Sequence, residues 1–161
     1  MKRVLLSLVV LSISLLLFTQ PVFSHCEIPC GIYGDEMRFD MISEHIKTIE
    51  KSMQMIKKLK EEKDINYNQL VRWVNNKEKH SQEIQSIVYQ YFMTQRIKPI
   101  YEKDTKEHKK YLRQLTLLHE MLVYAMKSKQ TTDIENVEKL KSLLSDFRNV
   151  YFGPESGRYI H

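Results

Sequence analysis

Glycine and proline are scarce in this chain, four of each in 161 residues. Strand-like alternation of apolar and polar residues is absent too, and both absences argue against a sheet protein. There is no internal repeat and no low-complexity tract. Charge of one sign does not dominate: 25 Lys and Arg stand against 20 Asp and Glu. The two signs alternate along the same segments, which is the pattern of a solvated helix face and gives no sign of nucleic-acid binding. What is abundant is Lys, Glu, Leu, Ile and Met, a balance that favours helices. The length suits one compact domain.

The one long apolar run lies at the start. Lys2 and Arg3 precede an almost wholly apolar stretch from Val4 to Phe18, followed by Thr19-Gln20-Pro21-Val22-Phe23-Ser24. A basic start, an apolar middle and tolerated residues at −3 and −1 (Val22 and Ser24) make a secretory signal peptide, with cleavage before His25. The run is short for a spanning helix, which needs about 20 residues, so no stable membrane anchor is expected after cleavage. A lipoprotein signal is disfavoured because His25 precedes Cys26 where a small residue is expected. Removal of residues 1–24 leaves 137 of the 161 residues and takes away two cations, lowering the net charge from +5 to +3.

Four segments carry a helical period. The first runs from about Asp35 to Lys63 with Ile42, Ile46, Ile49, Met53 and Ile56 on one stripe and Asp35 as its expected N-cap. The second runs from about Asn66 to Arg96, with Leu70, Val74, Ile84, Val88 and Tyr91. The third, from about Thr105 to Lys129, carries Tyr111, Leu115, Leu118, Leu122 and Ala125. The fourth, from about Asp133 to Tyr151, carries Val137, Leu140, Leu144, Phe147 and Tyr151, with Thr132 and Glu135 as a capping-box pattern. Alternating spacings of three and four and short connections predict an all-α, up-down antiparallel four-helix bundle. The expected layout is a cleaved segment 1–24, a metal hook 25–34, the bundle 35–151 and a tail 152–161.

On the second helix the inward stripe passes through Lys77 and Ser81, between Val74 and Ile84. Polar residues on a buried seam need partners. One reading is a locally wet or frayed helix; the other is a polar window facing the hook. His45, His80, His108 and His119 show no paired ligand spacing and read as ordinary helix or surface residues.

Both cysteines fall within six residues of the expected new terminus. A Cys26–Cys30 disulfide is the ordinary expectation for an exported chain, but it would close a very small loop and staple almost nothing. Metal ligation accounts for the pair better. Cleavage frees the His25 α-amine beside its imidazole; Cys26 offers a thiolate and a backbone amide nitrogen; Cys30 offers a second thiolate. Pro29 fixes its φ and helps turn the chain, and Gly31 permits close backbone approach. Amine, amide and two thiolates form a planar N2S2 set, which suits Ni(II) or Cu(II), whereas zinc prefers a tetrahedron. The imidazole is then free to bind axially.

The run His25-Cys26-Glu27-Ile28-Pro29-Cys30-Gly31-Ile32-Tyr33 resembles the N-terminal hook of the nickel superoxide dismutases. The resemblance implies one nickel ion per subunit and superoxide as substrate, dismuted to dioxygen and hydrogen peroxide by Ni(II)/Ni(III) cycling. It implies His25, Cys26 and Cys30 as ligands, with His25 and Tyr33 as the residues closest to the chemistry and Tyr33 above the open metal face. It also implies a homohexamer. Tyr91 is similar to a second tyrosine near the family's site. The family orients its axial imidazole with a carboxylate and an arginine; Asp40 or Glu44 could supply the first, and Lys77 stands in for the second. Family members usually carry a short polar pro-segment removed by a dedicated peptidase. This chain carries an apolar signal instead, so the expected location is periplasmic or secreted, with signal peptidase exposing the ligand amine. The alternative reading is an exported, non-catalytic Ni(II)- or Cu(II)-binding protein; a third is a structural bundle with an oxidised cysteine pair.

Overall fold

The computed structural model describes residue 31 and residues 33–153. The signal segment, residues 25–30 and 32 of the hook, and the tail from residue 154 lie outside the described residues. The chain divides into two units, Met1–Ile32 and Tyr33–His161. Tyr33 and Gly34 therefore belong with the helices, although the sequence groups them with the hook.

Helix α1 spans Asp35–Lys60, α2 Tyr67–Ser86, α3 Lys106–Gln130 and α4 Glu135–Phe152, and a π-helical stretch, Ile87–Arg96, continues α2. The described residues hold no strand. Each helix packs on its chain neighbours, and α4 returns to α1, closing a four-helix bundle. No described helix is long and apolar enough to cross a membrane.

The ends are set locally, and two differ from expectation. Gly34, not Asp35, is the N-cap of α1, and Asp35 is the first helical residue. The Thr132–Glu135 capping box does not form: Ile134 is the N-cap of α4, and Asp133 Oδ1 accepts the Glu135 N–H at 3.1 Å. Asn66 and Thr105 cap α2 and α3 by accepting the N–H of Gln69 and His108. Lys57, Lys58 and Lys60 close α1 with positive charge, which complements the helix dipole.

The stripe of α1 is buried throughout. On α2 and the π-helical stretch, Ile84, Val88 and Tyr91 are buried, but Leu70 is half-buried and Val74 is exposed. The reason is the length of α3. The Lys77 ammonium donates to the carbonyl of Ser128, at 2.7 Å, and to that of Lys129, in the last turn of α3. Residues of α2 before Lys77 therefore run past the end of α3 and lack a neighbour there. On α3 the deepest side chains are Leu117, Leu118, Met121 and Ala125, so the buried face is turned towards Leu117 and Met121, away from Leu115 and Leu122. One end of the core is aromatic: Phe39, Phe92 and Phe147 are fully buried with ring centroids 5.0–5.2 Å apart. Such contacts contribute about 1 kcal/mol per pair beyond area burial.

Candidate functional site

The aromatic end of the bundle carries a cluster centred on Asp35. A carboxylate at the start of a helix is favoured by the unpaired N–H groups there. Asp35 gains more. Arg96 grips it with two parallel bonds, Nε to Oδ1 at 2.8 Å and Nη2 to Oδ2 at 2.7 Å. The Tyr91 hydroxyl donates to Oδ1 at 2.5 Å, and the Tyr151 hydroxyl to Oδ2 at 2.8 Å. Burial alone would raise the Asp35 pKa, but the bonds from Arg96, Tyr91 and Tyr151 outweigh it and hold the carboxyl below its ordinary value. Burial, then the hydrogen bond to Asp35 and its charge, push both tyrosine hydroxyls up to about 12. The bond to Asp35 raises Arg96 further above its already high value.

The π-helical stretch makes this convergence workable. Tyr91 and Arg96 are five residues apart. In an α-helix of 3.6 residues per turn, such a pair sits about 140° apart; in a π-helix the i to i+5 turn brings them onto one side. The wider turn is closed by Ile97 N–H to the Phe92 carbonyl at 2.8 Å, and by the side chains of Thr94 and Gln95 to the carbonyls five residues back.

Tyr33 completes the cluster. Its ring lies over the Arg96 guanidinium, 4.2 Å from Cζ to the ring centroid, and edge-on to Tyr91 at 6.2 Å. It stays 44% exposed, unlike Tyr91 at 3%. The arrangement is a solvent-facing phenol on a fixed cation, with a saturated carboxylate beneath.

Of the residues singled out from sequence, Tyr33 and Tyr91 meet here. Asp40 and Glu44 are exposed and lie outside this cluster, whose carboxylate is Asp35; His25, which they were expected to orient, lies outside the described residues. Asp40 instead lines a cavity of about 300 Å³ between α1 and α4, with Phe39, Ser43, Lys47, Leu144 and Arg148. Lys77 is buried on the bundle seam as expected, but its partners are the α3 carbonyls, and Ser81 donates to the Lys77 carbonyl at 2.8 Å. Lys77 and Arg96 are nineteen positions apart, roughly 25–30 Å of helix. The polar window is thus satisfied within the bundle, far from Tyr33. Asp35, Arg96 and Tyr151 escaped the sequence reading. Asp35 looked like a cap, Tyr151 like one more stripe residue, and Arg96 stood off the face of Tyr91 at α-helical spacing. His45 and His80, read as ordinary, meet across α1 and α2.

Among the described residues no group of three His, Cys, Asp or Glu side chains could hold a metal ion. Outside the described residues, the sequence offers an imidazole at His25 and thiols at Cys26 and Cys30, donor types that suit a transition metal such as nickel.

A four-helix bundle preceded in sequence by His25, Cys26 and Cys30 has the make-up of a small helical metalloprotein. Residues 20–154 match the family model of nickel-containing superoxide dismutase, and the chain belongs to that family. It is a superoxide dismutase that contains nickel. No curated protein and no solved structure matches the chain.

Proposed function

We propose that the chain is an exported nickel superoxide dismutase, with signal peptidase cutting before His25 so that the new α-amine becomes a metal ligand. In this reading His25 offers its amine and imidazole, Cys26 its thiolate and amide nitrogen, and Cys30 its thiolate, to one nickel ion per subunit. Nickel, when bound, would supply the Ni(II)/Ni(III) electron exchange by which two superoxide ions and two protons give dioxygen and hydrogen peroxide.

The chain's own part is access and order. The observation that carries the reading is Tyr33, three residues after Cys30, with its ring held on Arg96. No more than about 11 Å of extended chain joins Tyr33 to Cys30. A half-exposed phenol beside a fixed cation suits water and a small anion, and would restrict approach to the ligands. A homohexamer is implied by the family. Tyr67 and Val71, exposed on the end of α2 that projects past α3, are apolar surface that a subunit contact would cover.

The test is protein with one residue added before His25, confirmed by mass spectrometry. Nickel-dependent turnover should vanish and helix content should stay. Full activity with the extra residue in place would overturn the ligand assignment.

A further inference from the structure

Arg96 has two faces in use. Its edge is spent on Asp35, through Nε and Nη2. Its flat side lies against the ring of Tyr33. The residues that lock the pair come from three elements: Asp35 opens α1, Tyr91 and Arg96 sit on the π-helical stretch, and Tyr151 is near the end of α4. Arg96 thus cannot swing away without breaking two charge-assisted bonds at one carboxylate. Tyr33 has no such lock. Among the described residues its hydroxyl makes no hydrogen bond, and its ring touches Arg96 and the edge of Tyr91.

We propose that Arg96, clamped by Asp35 and carried into place by the π-helical turn, is the positioning residue for Tyr33: its guanidinium plane fixes where the phenol stands at the point where the chain leaves the bundle for Cys30. This rests on the reading of Tyr33 as the residue that limits access to nickel. The charge alone does not do it. A lysine could pair with Asp35 as a point charge but offers no plane on which a ring can lie. Two features of the cluster follow from this role. A saturated Asp35 keeps Arg96 from turning to other acceptors. A π-turn, which costs regular α-helical bonding, is retained because it sets Arg96 and Tyr91 side by side beneath one ring.

The experiment uses the full mature chain with native His25, nickel-loaded and nickel-free, as wild type, Arg96→Lys and Arg96→Gln. Ring contacts of Tyr33 are read by NMR on ring-labelled tyrosine, with Tyr33→Phe identifying its signals. Nickel content, helix content and superoxide kcat and KM are measured alongside. Both Arg96 variants should lose the Tyr33–Tyr91 ring contact and lower kcat/KM roughly tenfold, as expected of a displaced group near a reacting centre. Nickel content should be unchanged, and lysine should restore thermal stability without restoring the ring contact. Retention of the ring contact in Arg96→Lys, or its loss together with unchanged kcat/KM, would overturn the proposal. The ring contact is also read without nickel. Wild type that binds nickel yet lacks turnover would therefore refute the functional reading alone, while an unaltered Tyr33 ring in Arg96→Gln would refute the positioning role alone.

Discussion

His45 of α1 and His80 of α2 stand with their Nδ1 atoms 2.8 Å apart and their ring centroids at 5.0 Å. At that distance one Nδ1 must carry a hydrogen and the other must accept it, so the pair cannot be doubly protonated in place. His45 Nε2 is buried with no partner among the described residues. Burial lowers both pKa values. The His80 charge and Lys79 lower His45 further and Lys79 lowers His80, while Glu83 opposes both and Glu44 opposes the first.

A native pair with lowered pKa values takes up protons later than the unfolded chain, whose histidines titrate near 6.5. Stability is therefore complete above that value and falls as pH drops from it towards the native pKa values. Thermal unfolding of nickel-free protein should show a midpoint that decreases between pH 7.5 and pH 5.5. The His45→Gln/His80→Gln double variant should show a flatter dependence over the same range. Equal slopes for both proteins would mean that the pair is not the acid-sensitive element.

Asp35→Asn removes the charge that Arg96, Tyr91 and Tyr151 converge on. The pair is neither fully exposed nor fully buried, with side chains 26% and 17% exposed, so a loss of about 1–3 kcal/mol at neutral pH is expected. The sign with pH is the same as for the histidines, but the window lies lower. A carboxyl with a lowered native pKa stabilises above the unfolded value and loses that contribution as pH falls through the native one. Urea unfolding at pH 7 should separate the two proteins clearly, and the gap should close only below about pH 4.

Lys77→Met should destabilise the bundle and leave the chemistry alone. Its ammonium donates to the Ser128 and Lys129 carbonyls at the C-terminus of α3, where a cation complements the helix end. Methionine packs in the same channel but leaves those carbonyls without their donor, at about 1–2 kcal/mol. Chemical denaturation should show the loss, while turnover per bound nickel stays at the wild-type value. A turnover defect at full nickel occupancy would place Lys77 closer to the chemistry than its contacts allow.

Cys26→Ser and Cys30→Ser should each abolish redox-active nickel, because a serine hydroxyl replaces a soft anionic donor poorly. Neither should change the helix content, since the core cluster of the described residues is built from Phe39 onward, on the helices themselves. Metal analysis, superoxide assay and far-UV circular dichroism on the same samples check all three points. Wild-type turnover in either variant would count against thiolate ligation.

Much of the molecule is written locally. The spacing of Ile42, Ile46, Ile49, Met53 and Ile56 fixed α1 and its buried side, because helical periodicity needs only the neighbours one turn away. The donors proposed for nickel, His25, Cys26 and Cys30, are likewise read from adjacent residues, and they lie outside the described residues. What the sequence withheld needs residues far apart to meet. Val74 was expected inside because its phase is right, and it is exposed because α3 ends one turn short of it. Asp35 looked like a cap, and is instead the acceptor for donors 56, 61 and 116 residues away. Arg96 and Tyr91 fall on one side only because the helix widens to a π-turn, which no α-helical period can reveal. The His45–His80 contact depends on how α1 and α2 lie against each other. Local pattern sets which faces turn inward; the lengths of neighbouring helices and their register decide which side chains meet, and both come only from the packed bundle.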